Sequence, residues 1–158
     1  MILPGMESQL VVLEDTPVYD KLNKYLIGGI IAIPLIIAIV LLTQDILGAV
    51  IMFGITVFDA IIFWCILPKR FLVYEDRIKI VLGGPFSYTV PFRDITNVRQ
   101  ATKDMAWVYW GMRLGTSLKF QVEIERKNGL GVIISPSMEN EFIEQLNLAR
   151  ENYIEPVF

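Results

Sequence analysis

The 158-residue chain contains no histidine and a single cysteine, Cys65. One cysteine cannot form a disulfide within the chain. Without histidine, zinc sites of the Cys/His type lack their ligands, and a histidine-based catalytic triad or dyad is excluded. Excess positive charge is missing too. Fourteen Lys/Arg face seventeen Asp/Glu, a net charge of −3, so there is no overall basic footprint for nucleic acid. Charge of either sign almost vanishes between Tyr25 and Leu67, where only Asp45 and Asp59 are charged. That composition rules out a simple soluble domain and leaves about ninety residues to fold in water. The length excludes a large two-domain enzyme, since domains commonly take about 100–200 residues.

The poorly charged region consists of two apolar runs, 25–42 and 46–67, joined by Thr43-Gln44-Asp45. About 20 mostly apolar residues suffice for a helix to cross a hydrocarbon core about 30 Å thick. Both runs are long enough, and the linker allows only a tight turn, so the sequence predicts a transmembrane helical hairpin. A signal peptide is disfavoured, because acids precede the first run and a second run follows at once. Lys21 and Lys24 precede the first span, Lys69, Arg70, Arg77 and Lys79 follow the second, and the turn has no cation. The flanking charge therefore predicts both termini in the cytoplasm, with the chain integral to the plasma membrane. Tyr25, Phe63 and Trp64 fit anchoring at the interface.

Asp59 is the polar exception inside the hairpin. A carboxylate at that depth must face protein or water, or carry a proton. Thr56, one turn earlier, is its local hydrogen-bond candidate. The readings are a structural contact within the hairpin, a contact with another subunit, or a component of an oligomeric ion or proton path. Gly28, Gly29, Ala32 and Pro34, and Gly48, Ala49 and Gly54, are small or kinking residues expected to let the two helices approach closely.

After Pro68 the period changes from helix to strand. Residues 71–82 read as two strands around Glu75-Asp76, with Ile78, Ile80 and Leu82 on the buried face. Phe86 to Phe92 alternate as a third strand, in which Pro91 marks an edge or strand end. Thr96–Ala101 forms a short fourth. Leu118, Phe120, Val122 and Ile124 alternate with polar residues, which puts Glu123 and Glu125 on a solvent face. Asn128-Gly129 then signals a hairpin to 130–134. Ser135-Pro136 is expected to cap and open a helix over about 136–151, whose stripe of Met138, Phe142, Leu146, Ala149 and Tyr153 covers the end of a small barrel. Six or seven antiparallel strands result. The lead, 1–24, either adds an edge strand through its Leu10–Leu13 run or lies along the membrane.

The hairpin followed by Phe-Leu-Val-Tyr-Glu-Asp-Arg-Ile-Lys-Ile, then Tyr-Thr-Val-Pro-Phe-Arg-Asp-Ile-Thr-Asn-Val, then Val-Glu-Ile-Glu-Arg-Lys-Asn-Gly and the Ser-Pro…Phe…Leu helix, resembles the membrane-tethered bacterial PH-like domain proteins over about 25–150. The resemblance implies a mainly-β, pleckstrin-homology-like open barrel over 68–158 with one C-terminal capping helix. It supplies no catalytic residues, cofactor or metal. Phosphoinositide-binding relatives use a basic first hairpin, whereas the tip here is Glu75-Asp76, which argues against inositol-phosphate recognition.

Lys103 to Ser117 holds Trp107, Tyr109, Trp110 and Arg113, types enriched at interface hot spots and, for the aromatics, at the headgroup level of a bilayer. They fill the barrel mouth, contact a partner, or dip into the membrane. Lys69, Arg70, Arg77 and Lys79 are candidate contacts for anionic headgroups. Cys65 is either a buried thiol or a palmitoylation site. With no acid–base or nucleophile constellation, the reading is a non-enzymatic membrane-anchored adaptor or accessory subunit. It presents its domain to a protein partner or to itself. The alternatives are an anionic-lipid-engaging module and an ion path using Asp59.

Overall fold

The computed structural model describes residues 11–101, 111–117 and 119–153. The chain runs β1 (Val11–Asp15), α1 (Lys21–Leu41), α2 (Ile46–Ile66), β2 (Pro68–Tyr74), β3 (Arg77–Leu82), β4 (Ser87–Pro91), β5 (Ile95–Gln100), β6 (Gly111–Arg113), β7 (Val122–Arg126), β8 (Gly131–Ile134) and α3 (Glu139–Glu151). A 3-10 turn at Phe92–Asp94 joins β4 to β5.

The apolar helices α1 and α2 form an antiparallel hairpin, each long and apolar enough to cross a membrane. Their contact stripe includes Ile27, Ile31, Pro34 and Ala38 on α1 and Ala49, Met52 and Thr56 on α2, at the three- and four-residue spacing of one helix face. Close packing falls on Ala38 and Ala49. Of the expected glycines only Gly48 is closely packed, where an added Cβ would meet Asp45 Oδ2 at 2.6 Å and Leu41 Cδ1 of α1 at 3.3 Å; at Gly28, Gly29 or Gly54 it meets nothing within 4 Å. Pro34 lies inside α1 without ending it. The helix starts at Lys21, one turn before the apolar run. Asp20 takes an extended N-cap conformation, Lys24 N–H reaches the Asp20 carbonyl at 3.0 Å, and the Asn23 side chain donates to Thr116 O.

Among the described residues the soluble part forms two four-stranded sheets, β1-β2-β3-β4 and β5-β7-β8-β6. The lead supplies β1, antiparallel to β2, so its apolar run is an edge strand. At the opposite edge lies β4, where Pro91 costs no ladder bond. The core between the sheets is built from Phe71, Val73, Ile78, Ile80 and Val90 on one side and Val98, Val122, Ile124, Val132 and Ile134 on the other. Phe142 and Leu146 of α3 close one end, with Phe142 edge-on to Phe71 at 6.2 Å.

Four expectations are corrected. The sheets are not wholly antiparallel, because β6 runs parallel to β8. Strand β7 begins at Val122, not 118. Ser117 Oγ accepts from the N–H groups of Lys119 and Phe120, and the Gln121 N–H goes to Glu139, so the chain bends and leaves Phe120 43% exposed. Glu123 is not on an open face: it is 4% exposed and held by Arg99 at 3.0 Å. Ser135 does not cap α3. Its buried hydroxyl accepts from the N–H groups of Thr116 and Ser117, Pro136 bridges to Pro17, and α3 starts at Glu139. The cap comes from Asp15 of β1, whose carboxylate accepts from Met138 N–H at 3.2 Å and from the Ser137 hydroxyl.

Candidate functional site

The hairpin and the domain meet at a junction made from both ends of the hairpin. On the α1 side, Val18 N–H bonds Ser135 O, the Thr116 hydroxyl donates to Val18 O, and Asp20 N–H reaches Thr116 O. Tyr19 donates its hydroxyl to Pro68 O at 2.6 Å, joining the foot of α1 to the foot of α2. Burial pushes the Tyr19 hydroxyl above its ordinary pKa. On the α2 side, Gly83 N–H bonds Leu67 O, and a Cβ at Gly83 would lie 1.3 Å from Trp64 O. Gly84 follows at φ +64°, beneath the Trp64 ring, with the Cys65 thiol nearby. Glycine is required twice here, for a close approach and for a left-handed turn. Cys65 is half-buried and free.

The polar pair in the hairpin is not joined. Thr56 donates to Met52 O of its own helix at 3.0 Å. Asp59 is half-buried and has no hydrogen bond or ion pair among the described residues. Folding back about Thr43–Gln44 sets it at about the height of Gly28.

The four basic residues are spread out. Lys69 and Arg70 stand where β2 leaves α2. Lys79 lies further along, opposite Leu72, and Arg77 is at the distal tip. Arg77 makes two 2.8 Å bonds to Asp76, which raise its already high pKa. Arg70 meets Glu14 at 3.3 Å with both side chains exposed. Trp107, Tyr109 and Trp110 lie outside the described residues. Arg113 is exposed at the end of β6, opposite Ile133.

A groove of about 680 Å³ runs between the β1 edge and the last turns of α3, floored by Val12, Leu148, Ala149 and Tyr153 and bordered by Glu75 and Asp76. Sequence reasoning missed its β1 side, two buried acids and the half-buried Arg126. Asp15 was hidden because its partners lie more than a hundred residues away. Glu139 accepts from Gln121 N–H and the Gln100 amide, binding α3 to both β5 and the approach to β7. Arg126 lies against Tyr88, donates to its hydroxyl, and reaches Asp94 at 3.4 Å. The basic residue ending a half-buried strand beside an Asn-Gly turn was the available signal for it. Among the described residues no cluster of His, Cys, Asp and Glu is placed to hold a metal.

No curated protein and no solved structure matches the chain. Residues 69–150 match the Bacterial PH domain family, and the match runs from the first residue after the β2 proline to the end of α3. It covers just over half of the chain and both sheets from β2 onward. The chain therefore belongs to the bacterial PH domain family.

Proposed function

We propose that this protein is a non-enzymatic, membrane-anchored adaptor or accessory subunit. The hairpin spans the plasma membrane, both termini and the PH-like domain are cytoplasmic, and the domain is offered to a protein partner or to further copies of itself. The observation that carries the reading is the junction. Gly83 against the Trp64 carbonyl, Tyr19 on Pro68 and Asn23 on Thr116 fix the domain on the hairpin rather than tethering it loosely. A domain held in one orientation presents the same face to every partner, which lowers the ordering cost of association. Among the described residues, the groove beside the β1 edge stays open in that arrangement. Orientation is supported by charge: Lys21 and Lys24 stand at one foot of the hairpin and Lys69 and Arg70 at the other, and the connecting turn carries only Asp45.

Asp59 supports assembly. A carboxylate without a partner among the described residues is expensive within a bilayer, and a neighbouring subunit can supply a donor. The ion-path reading uses the same residue but needs several copies, because two helices cannot line a pore. The lipid-engaging reading rests on Lys69 and Arg70 at the foot of α2.

The test is purification from native membrane with mass measurement. A stable complex larger than one chain is expected, and Asp59→Leu should shift it toward the monomer while Asp59→Asn keeps it. A wild-type mass of one chain would refute the adaptor reading. An unchanged mass for Asp59→Leu would remove Asp59 from the contact.

A further inference from the structure

We propose that the cleft at the foot of α2 is a headgroup site for one anionic phospholipid, seated between Lys69 and Arg70 and walled by Trp64. This rests on the membrane-anchored reading above and narrows the basic set from four residues to two.

The carrying feature is a β-bulge. Pro68 pairs with Leu82 and Arg70 with Val81, so Lys69 is the extra residue of the ladder. A regular strand would send Lys69 and Arg70 to opposite faces. The bulge re-aims one of them, and both end up exposed, lining the same cleft. Lys69 has no ion pair or hydrogen bond among the described residues. Among the described residues Arg70 is held only by exposed Glu14, at 3.3 Å. The two cations therefore face one acid, with charge left for a monoanion.

The remaining walls fit the glycerol and first methylenes of a lipid. Trp64 is 56% exposed, and Leu72 continues the apolar side. The floor is Gly83-Gly84, where a Cβ on the second glycine would come within 3.2 Å of the Trp64 ring. The cleft holds about 310 Å³. That is the small end of the range of about 300–1,000 Å³ for ligand cavities, enough for a headgroup but not for a whole lipid. Its position supplies the rest. The apolar helix ends at Ile66, so an acyl chain can run down α2 while the phosphate stays level with Lys69. A zwitterionic choline lipid would bring its own cation against Lys69 and Arg70, so the site selects the anion.

The full chain in micelles, offered equal amounts of phosphatidylglycerol and phosphatidylcholine, is read by native mass spectrometry. The wild type should retain one phosphatidylglycerol. Lys69→Ala with Arg70→Ala should lower the phosphatidylglycerol-to-phosphatidylcholine occupancy ratio roughly thirtyfold, two cations at about 1 kcal/mol each. Glu14→Gln, which releases Arg70, should raise the ratio, and Arg77→Ala with Lys79→Ala should leave it unchanged. No preference in the wild type, no gain in Glu14→Gln, or an equal loss in the distal pair would overturn the site. Alkaline extraction of membranes separates the two readings. A chain that washes out defeats the anchor, whereas one that stays without lipid preference defeats the site alone.

Discussion

Replacing Asp15 with alanine should loosen a helix that begins more than 120 residues later. The Asp15 carboxylate is 4% exposed and accepts hydrogen bonds from Thr16 N–H at 2.6 Å, Met138 N–H at 3.2 Å and the Ser137 hydroxyl. It thus does from another strand what an N-cap side chain does locally, and places negative charge at the positive end of α3. Loss of a cap costs about 1 kcal/mol, and loss of the favourable charge about 0.3–1 kcal/mol. Ser137 and Met138 are exposed, so water replaces the missing acceptor and adds no large desolvation penalty. The sum is about 1.3–2 kcal/mol, or roughly a ten- to thirtyfold faster amide exchange in the first turns of α3 at about 1.4 kcal/mol per decade. Asp15→Asn keeps an acceptor and loses the charge, so about a fivefold change is expected. Ser135→Ala is the control: it should act first on the amides of Thr116 and Ser117, which its hydroxyl accepts from. The experiment is hydrogen–deuterium exchange on the full chain in micelles. If α3 exchanges within twofold of wild type in Asp15→Ala, or if Ser135→Ala loosens α3 instead, the capping account is wrong.

Two further predictions concern the junction. Gly83→Ala should lower stability by about 2–4 kcal/mol, because the new Cβ would occupy the Trp64 carbonyl and the Gly83–Leu67 bond would be lost. Gly28→Ala and Gly54→Ala, which meet open space, should change it by no more than about 1 kcal/mol. Melting by circular dichroism distinguishes them, and a Gly83→Ala protein that melts with the wild type would contradict the close approach. Tyr19 sets a pH dependence. Its folded pKa lies above the ordinary value of about 10, so the folded state holds the proton more tightly than the unfolded one. The stabilisation is complete below about pH 10 and lost as pH rises through the folded value. Stability should therefore fall at high pH in the wild type and fall less in Tyr19→Phe. An ultraviolet titration showing Tyr19 ionising like a free tyrosine would refute it.

The hairpin was legible because its signal is local: two apolar runs and a three-residue linker leave no other element. The strands from β2 to β4, the Asn128-Gly129 hairpin and the α3 stripe from Phe142 to Tyr153 were legible for the same reason, since a period of two or of 3.6 is written in adjacent residues; Met138, expected to open that stripe, precedes the helix and is 48% exposed. Reading failed where a distant segment competes with a local rule. Ser135-Pro136 carries the pattern of a helix start, but the lead pairs with it through Pro17 and Val18 and draws it into the sheet. The alternation from Leu118 looks like a strand, but Ser117 and Glu139 take its amides. Parallel pairing of β6 with β8 has no local signature, for three residues carry no register information.

By itself the sequence determined the membrane-suited hairpin, the family, the strands from β2 to β4 and the face that α3 buries, because each follows from hydrophobic period and chain breaks. Only the tertiary structure decided that the lead is a strand whose Asp15 caps α3. It also decided that Gly83 locks the domain to Trp64, and that a bulge turns Lys69 and Arg70 to one side while Arg77 is taken by Asp76. Each of these depends on which distant backbone group reaches a donor or acceptor first. Hydrogen bonds and close contacts across a hundred residues are set by how the sheets and the hairpin pack, and that information is not carried by any window of the chain.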